Sequence, residues 1–425
     1  MENDLVIEGT VVRQQGLESL EVGVSEGKIS EVKKQGVRGA RRIRAGRSLI
    51  FPGFIDIHVH LREPGWEYKE DFRTGSLAAL HGGVTTVVDM PNNPIPTTTL
   101  PALDEKKRLA EAKALVDVRF YGGVIGAKQE GLEKMAEGVA GYKLFLARTT
   151  GADVFPESQL GLAFEEIAKT GRPVSLHCEE QSVIDRMQNE LQGVSRPDIH
   201  CDLRPPEAEV ESVKKVVAAL SRVGDLDANV CHTSAGESVS IVRKARASGT
   251  RLHCEAALHH LYYNRTAMLE NRMMKTNPPL RSEEDRKALM GGLVDGTVSF
   301  LVTDHAPHTL DEKTSQGLSG VPGLDDYGHV VSWLTRVQDV DPVVIAKVTS
   351  SNPAKFANLG DRGEISPGKR ADFTILDLSS PEKVEPEGVL SKCGWSPYEG
   401  KEFPGRVRWT IRRGEPMLDD YELAT

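Results

Sequence analysis

The chain has 425 residues, 53 of them Lys or Arg and 62 Asp or Glu, so its formal net charge is −9. This length accommodates two or three average domains, or one large α/β barrel with an appended domain. The acidic balance and the lack of a basic tract argue against a nucleic-acid surface, and no apolar run approaches the roughly 20 residues that cross a membrane. The first residues lack the positive and apolar regions of a signal peptide, so we expect a cytoplasmic protein without nucleic-acid or membrane partners, and a homodimer by default.

The five cysteines are odd in number and none forms a CxxC pair. This pattern favours a reduced protein without a disulfide framework. Three of the cysteines adjoin a histidine within an apolar run, and successive side chains of a strand point to opposite faces. We therefore expect these three to face away from the histidines, as small buried hydrophobic residues: Cys178, Cys231 and Cys254.

Short strands with turns are predicted over residues 1–50, followed by eight β-rich runs that alternate with helical stretches. The runs lie at 51–59, 84–90, 117–124, 141–146, 173–178, 227–232, 251–256 and 297–303. This alternation predicts an α/β fold of the (β/α)8 TIM-barrel type over residues 51–355, with its active site at the carboxyl ends of the strands. Residues 356–425 are strand-like again. Because neither end could bury a face alone, we expect both ends to pair into one small β-sandwich domain.

Metal-binding side chains recur at the ends of the predicted barrel strands. His58 and His60 end the first run and, two positions apart, point to the same face of a strand. A lone histidine at a strand end is most often structural, but here further candidates follow on other strands and meet at the same rim: His177, His232 and Asp304. Such a set suits one or two divalent ions such as zinc.

Lys143 lies in Tyr142–Phe145, where the fourth predicted strand ends, and is the unusual member of this rim. An ammonium group cannot bind a metal, and its charged form is disfavoured near cations in a partly dry pocket. The neutral amine could add carbon dioxide to give a carbamate that bridges two metals. On spacing alone, a surface lysine is an equally good interpretation.

Five segments carry a resemblance to a known family. They are His58–Gly65 (HVHLREPG), Asp89–Pro94 (DMPNNP), Asn277–Arg281 (NPPLR), Thr303–His308 (TDHAPH) and Gly363–Asp372 (GEISPGKRAD). In this order the segments resemble those of dihydroorotases, within the amidohydrolase superfamily, and the similarity covers essentially the whole chain. The first motif, together with MPNN and DHAPH, is much more specific than HxH alone.

The resemblance implies a role for each matching residue. His58 and His60 would bind the more buried zinc ion and His177 and His232 the more exposed one, with carboxylated Lys143 and a hydroxide bridging the two Zn²⁺ ions of each subunit. Asp304 would bind the first ion and act as the catalytic proton carrier. The substrate contacts would come from Arg62, Asn93 and His308, which match contacts to a carboxylate, and from Asn277, Pro322 and Gly323. The implied reaction is the reversible, metal-dependent cyclisation of N-carbamoyl-L-aspartate to (S)-dihydroorotate and water, in pyrimidine biosynthesis.

Three alternatives stay open. A bacterial subgroup of the family bridges its metals with an aspartate after strand 4, and Asp153 occupies that loop here. The chain could be another cyclic amidase, such as an allantoinase or a dihydropyrimidinase/hydantoinase, but the allantoinase pattern resembles HVHxNEPG, with asparagine in place of Arg62. A catalytically silent scaffold would typically lose metal ligands, and every candidate ligand is present.

Overall fold

The computed structural model describes residues 2–424. Its first four strands are β1 (Asn3–Arg13), β2 (Gly16–Ser25), β3 (Lys28–Lys33) and β4 (Gly39–Pro52). β1 pairs antiparallel with β2 and parallel with β4, and β2 pairs antiparallel with β3. Leu20, Val22 and Val24 alternate with more polar residues along β2 and are buried, as expected for a sheet with one face on a core.

Eight parallel strands form the central barrel, each hydrogen-bonded to the next in sequence order. An isolated bridge between Val59 and His305 joins the first strand to the segment after the last. Every strand falls on one of the eight predicted runs, so the predicted barrel is confirmed. The strands are β5 (Phe54–Val59), β6 (Val84–Asp89), β7 (Asp117–Gly123), β8 (Gly141–Phe145), β9 (Val174–His177), β10 (Ala228–Val230), β11 (Leu252–Ala257) and β12 (Phe300–Val302).

The last part of the chain returns to the first sheet. It contributes β13 (Phe373–Asp377), β14 (Glu382–Lys383), β15 (Glu402–Phe403), β16 (Arg406–Arg412), β17 (Glu415–Asp419) and β18 (Glu422–Leu423). β13 lies between β4 and β16, which gives the strand order β18-β17-β16-β13-β4-β1-β2-β3. β14 and β15 form a separate two-stranded ribbon. The predicted pairing of both chain ends is confirmed, and the hydrogen bonds link their strands into one continuous mixed sheet.

Helices cover the outside of the barrel because their apolar residues recur every three or four positions. In α4, for example, Leu160, Ala163, Phe164 and Ile167 are buried on one face. None of the helices within residues 2–424 combines the length and apolar character that a membrane span requires. The helices are α1 (Phe72–His81), α2 (Leu100–Lys113), α3 (Leu132–Met135), α4 (Leu160–Lys169), α5 (Gln181–Glu190), α6 (Ile199–Leu203), α7 (Pro206–Leu220), α8 (Gly236–Ala247), α9 (Leu258–Tyr262), α10 (Thr266–Glu270), α11 (Glu283–Val294), α12 (Tyr327–Arg336), α13 (Pro342–Ala346) and α14 (Asn352–Phe356).

Candidate metal centre

The carboxyl ends of β5 and β12 bring three buried ligand groups together. The Nε2 atoms of His58 and His60 each lie 3.3 Å from Oδ1 of Asp304. His58 and His60 share a face because they are two positions apart, at and just beyond the end of β5. Two imidazole nitrogens and one carboxylate oxygen that converge in this way could hold one divalent cation.

His177 and His232 form an adjoining pair at the ends of β9 and β10. Their Nδ1 and Nε2 atoms lie 3.0 Å apart, and the ring centres of His58 and His232 are separated by 5.1 Å. All four histidines and Asp304 therefore form one continuous cluster.

Lys143 lies next to this cluster, fully buried in the middle of β8. Its Nζ atom lies 2.7 Å from the Sγ atom of Cys231 and 5.0 Å from the centre of the Phe145 ring. Within residues 2–424 it has no carboxylate partner. A buried lysine without a carboxylate partner is unusual, because an unpaired charge is costly to bury. Asp153 is instead exposed, in the loop after β8.

The protonation states of the cluster suit a cation. Burial lowers the pKa of His60 to about 3, and it also lowers the pKa values of His177 and His232, so these three imidazoles are neutral near pH 7. Although burial alone would raise the pKa of Asp304, His58 and His60 hold it well below its usual range. The buried Nδ1 atom of His232 has no hydrogen-bond partner among residues 2–424. Neutral imidazoles, an ionised carboxylate and an unused nitrogen together fit one or two ions such as zinc.

Glu255, on β11, orients two of these histidines and was not found from the sequence. It accepts hydrogen bonds from the His58 ring at Nδ1, from the His232 backbone N–H at 2.9 Å and from the Asn229 amide at 2.6 Å. A carboxylate on Nδ1 leaves the Nε2 lone pair of His58 free to face Asp304. The sequence holds no local signal for this contact, because the two partners are 197 positions apart.

Cys231 does not face away from the cluster, and the expectation that it would is wrong. β10 ends at Val230, and the chain then turns, with His232 at a φ of +32°. The alternation of side chains therefore stops before Cys231, whose sulfur lies within 4.8 Å of ligand atoms of His58 and Glu255. Cys178 and Cys254 are buried as expected.

A cleft of about 380 Å³ opens above the cluster. Of the residues predicted to contact substrate, Arg62 and Asn277 line it, whereas Asn93, His308, Pro322 and Gly323 are buried and do not line it. The full lining is His58, His60, Arg62, Asn92, Phe145, Thr149, Thr150, His177, His232, Asn277, Asp304, Ala306, Ser319 and Gly320.

Two neighbouring asparagines take different positions at this cleft. Asn92 lies in the wall, where its amide group donates to the carbonyl of Thr150 at 2.7 Å and its oxygen lies 3.0 Å from Nδ1 of His60. Asn93 points away, and its oxygen accepts a hydrogen bond of 2.7 Å from Lys106. Asn92 is therefore the member of the pair that faces the metal cluster, which the motif alone did not indicate.

The Arg62 side chain lines the cleft although β5 ends before Arg62. β5 ends at Val59, and Arg62 has a φ of +62°, so its position depends on a turn and not on strand alternation. Its Nε atom donates to the carbonyl of Pro307 at 3.0 Å, and no carboxylate within residues 2–424 pairs with it. Burial lowers the pKa of Arg62 only to about 10, so the guanidinium is positive near pH 7. The cleft thus contains a buried, unpaired cation beside the candidate metal ligands.

The fold and this ligand cluster at the rim of the barrel define a class of barrel hydrolases. The model of the amidohydrolase family matches residues 49–417, and the chain belongs to that family.

The relatives within the family differ in the substrates that their names give. A dihydroorotase of Methanothermobacter thermautotrophicus is 32% identical over 412 residues, which cover 95% of this chain and 92% of the relative. An allantoinase of Bacillus licheniformis is 30% identical over 437 residues, which cover 98% and 96%. The solved structure of an L-hydantoinase (dihydropyrimidinase) from Arthrobacter aurescens superposes with a TM-score of 0.95 at 26% identity, covering 100% of this chain and 98% of that one.

Proposed function

We propose that this protein is a cyclic amidohydrolase, and specifically a dihydroorotase that interconverts N-carbamoyl-L-aspartate and (S)-dihydroorotate. The relatives named dihydroorotase, allantoinase and hydantoinase all carry names of enzymes that act on cyclic amides, which supports the class. The observation that carries the specific substrate is the unpaired guanidinium of Arg62 in the cleft wall. A buried cation without a protein counter-ion favours an anionic ligand, and dihydroorotate has a carboxylate whereas allantoin and dihydrouracil do not.

The chain's own groups can position and protonate such a substrate. Arg62 would bind the ring carboxylate and so orient the amide bond over the histidine cluster, where orientation contributes much of the rate acceleration. Divalent ions held by the four histidines, Asp304 and carboxylated Lys143 would supply an activated water and polarise the amide carbonyl. Asp304, 3.3 Å from both His58 and His60, is placed to take a proton during attack and to return it to the departing ring nitrogen.

A substrate comparison tests the proposal. The purified protein, with its metal content measured, is offered dihydroorotate, allantoin and dihydrouracil side by side, with and without a chelator. We expect turnover of dihydroorotate that the chelator abolishes. A preference for allantoin or dihydrouracil, or activity that survives metal removal, would contradict the proposal.

Replacement of Arg62 separates substrate binding from metal binding. Arg62→Asn removes a charge-assisted contact, so we expect kcat/KM for dihydroorotate to fall about 100-fold, with an unchanged metal content. Arg62→Lys is the matched control, because it keeps the charge but loses the planar pair of donors, and its loss should be smaller. If Arg62→Asn instead lowers the metal content, Arg62 supports the metal centre and the assigned role is wrong.

A further inference from the structure

Lys69 is a buried lysine in the loop after β5 that nothing in the function above uses. Its side chain is 3% exposed, and its Nζ atom lies 2.9 Å from Oε1 of Glu312 and 3.2 Å from Nδ1 of His308. The Trp66 ring lies 4.7 Å from the same nitrogen. These contacts fix the ammonium group at one position against the imidazole.

The contacts of His308 define which of its ring nitrogens carries the proton. Burial, aided by the nearby Arg62 and Lys69 cations, lowers the pKa of His308 to about 2, so the ring is neutral and has one N–H. The ammonium of Lys69 can only donate, so Nδ1 must accept. Nε2 lies 3.1 Å from the carbonyl of Ser319, which can only accept, so Nε2 must carry the proton. Lys69 and Ser319 therefore favour the same tautomer, whereas Oε2 of Glu312, 3.6 Å from Nδ1, would draw the proton to Nδ1 if Lys69 were absent.

This tautomer leaves a donor of Arg62 free. Nη2 of Arg62 lies 3.4 Å from Nε2 of His308. With the proton on Nε2, both atoms are donors and no hydrogen bond joins them. With the proton on Nδ1, the bare Nε2 would accept a hydrogen bond from Nη2 of Arg62 and so occupy that donor. Arg62 and Ser319 both line that cleft, so the choice of tautomer decides how many donors the wall offers to an anion.

We propose that Lys69 is a specificity-determining positioning residue: by holding His308 as the Nε2–H tautomer, it keeps the Nη2 donor of Arg62 available for the carboxylate of an anionic cyclic amide. This inference deepens the proposed function and rests on it for the identity of the anion. Its contribution is hydrogen-bond geometry and not net charge, because Glu312 already pairs with the Lys69 ammonium.

Nitrogen NMR of the protein labelled with ¹⁵N-histidine tests the tautomer without any substrate. The His308 signals are identified by their loss in His308→Gln. We expect a protonated Nε2 and an unprotonated Nδ1 in the metal-loaded protein, and a shift of the proton towards Nδ1, or a mixture, in Lys69→Met. A wild-type ring protonated on Nδ1, or an unchanged tautomer in Lys69→Met, would overturn the inference, whichever substrate the enzyme prefers.

Steady-state kinetics with a charged substrate, dihydroorotate, and an uncharged one, dihydrouracil, provide the second measurement. Lys69→Met should raise KM for dihydroorotate about 10- to 100-fold with a smaller change in kcat, and should leave any turnover of dihydrouracil unchanged. Lys69→Arg keeps a donor towards Nδ1 and should restore much of the affinity. Equal losses of activity with dihydroorotate and dihydrouracil would mean that Lys69 only supports the fold. So would a Lys69→Arg variant whose affinity is no better than that of Lys69→Met.

Lys113→Met is the matched control for loss of a lysine–glutamate pair near the same loop. Lys113 pairs with Glu63 and makes no contact with His308. We expect its KM values and its His308 signals to match those of the wild type. A change of the same size in this variant would contradict a specific role for Lys69.

Discussion

At the scale of single residues, the proposed metal site depends most on Lys143. Its Nζ atom contacts the sulfur of Cys231, next to the histidine cluster, and lies 5.0 Å from the centre of the Phe145 ring. An ammonium there would repel a bound cation, whereas a carbamate would supply a negative oxygen pair. The burial of Lys143 and the exposure of Asp153 favour the lysine as the bridging residue.

Removal of Lys143 should therefore abolish metal binding. We expect Lys143→Ala to lose most of its metal, measured by mass spectrometry of the bound ions, and to lose activity about 100-fold or more because the nucleophile depends on the metal. A short carboxylic acid such as acetate, added at millimolar concentration, should restore part of both by occupying the vacated volume.

Asp153→Asn is the control for the alternative bridge. An exposed loop carboxylate should be replaceable with little change in metal content. If Asp153→Asn loses the metal while Lys143→Ala keeps it, the aspartate bridges the ions and the lysine assignment is wrong.

The candidate metal ligands could be predicted from the sequence, but the residues that orient the site could not. His58, His60 and Asp304 could be found because ligand-type residues at strand ends are a local pattern. Glu255 and Lys69 could not, because their partners are 197 and 239 positions away and their contacts exist only after folding. Residues that orient a site do so through long-range contacts, and a single sequence carries no local signal for such contacts.

At the scale of elements, strand positions could be predicted from apolar runs, but strand ends could not. The sixth run, 227–232, contains the strand Ala228–Val230, and the residues beyond it turn. Because the strand ends two residues before the predicted run does, the Cys231 side chain points towards the cluster and not away from it. Arg62 and Asp304 lie likewise just past their strands with positive φ values, where alternation no longer predicts the direction of a side chain.

Helix ends carry clearer local signals, and α11 offers a test. Ser282 caps α11, with its hydroxyl accepting from the backbone N–H of Asp285 at 3.1 Å. Ser282→Ala should lower the free energy of unfolding by about 1 kcal/mol, measured by urea denaturation, because that N–H loses its partner. Ser282→Gly should cost only a few tenths of that, since glycine adopts the cap conformation easily. Equal losses in both variants would show that the hydroxyl does not cap the helix.

At the scale of the whole molecule, one carboxylate links the barrel to the β domain. Asp117 begins β7 at the amino end of the barrel strands, opposite the metal centre. Its oxygens pair with Arg412 of β16 at 2.8 Å, with Arg362 at 2.6 Å and with Arg370. Although burial alone would raise the pKa of Asp117, Arg370 and Arg412 hold it far below its usual range. The three arginines belong to the segment that follows the barrel, so the returning chain is held by this residue.

Loss of the Asp117 carboxylate should lower the stability of the protein without changing its metal content. Asp117→Asn removes the carboxylate that three guanidinium groups share, although Arg362 keeps Asp361 and Arg370 keeps Asp372 as partners. We therefore expect the free energy of unfolding at pH 7 to fall by about 1 to 3 kcal/mol, measured by urea denaturation. Metal content, which depends on the opposite end of the barrel, should stay unchanged. Asp225→Asn is the control, because Asp225 is 97% exposed and its pair with Arg251 spans 3.5 Å; such surface pairs contribute about 0 to 1 kcal/mol.

The pH dependence of the stability difference between the wild type and Asp117→Asn tests whether the Asp117 carboxylate causes that difference. A carboxylate whose pKa is lowered in the folded state stabilises that state at every pH above its ordinary value of about 4 and loses this effect as the pH falls towards the lowered pKa. The stability gap between the wild type and Asp117→Asn should therefore stay constant from pH 8 to pH 5 and narrow only below about pH 4. A gap that narrows already between pH 8 and pH 6 would have to come from a group other than Asp117, and the ionic link between barrel and β domain would then not explain the loss of stability.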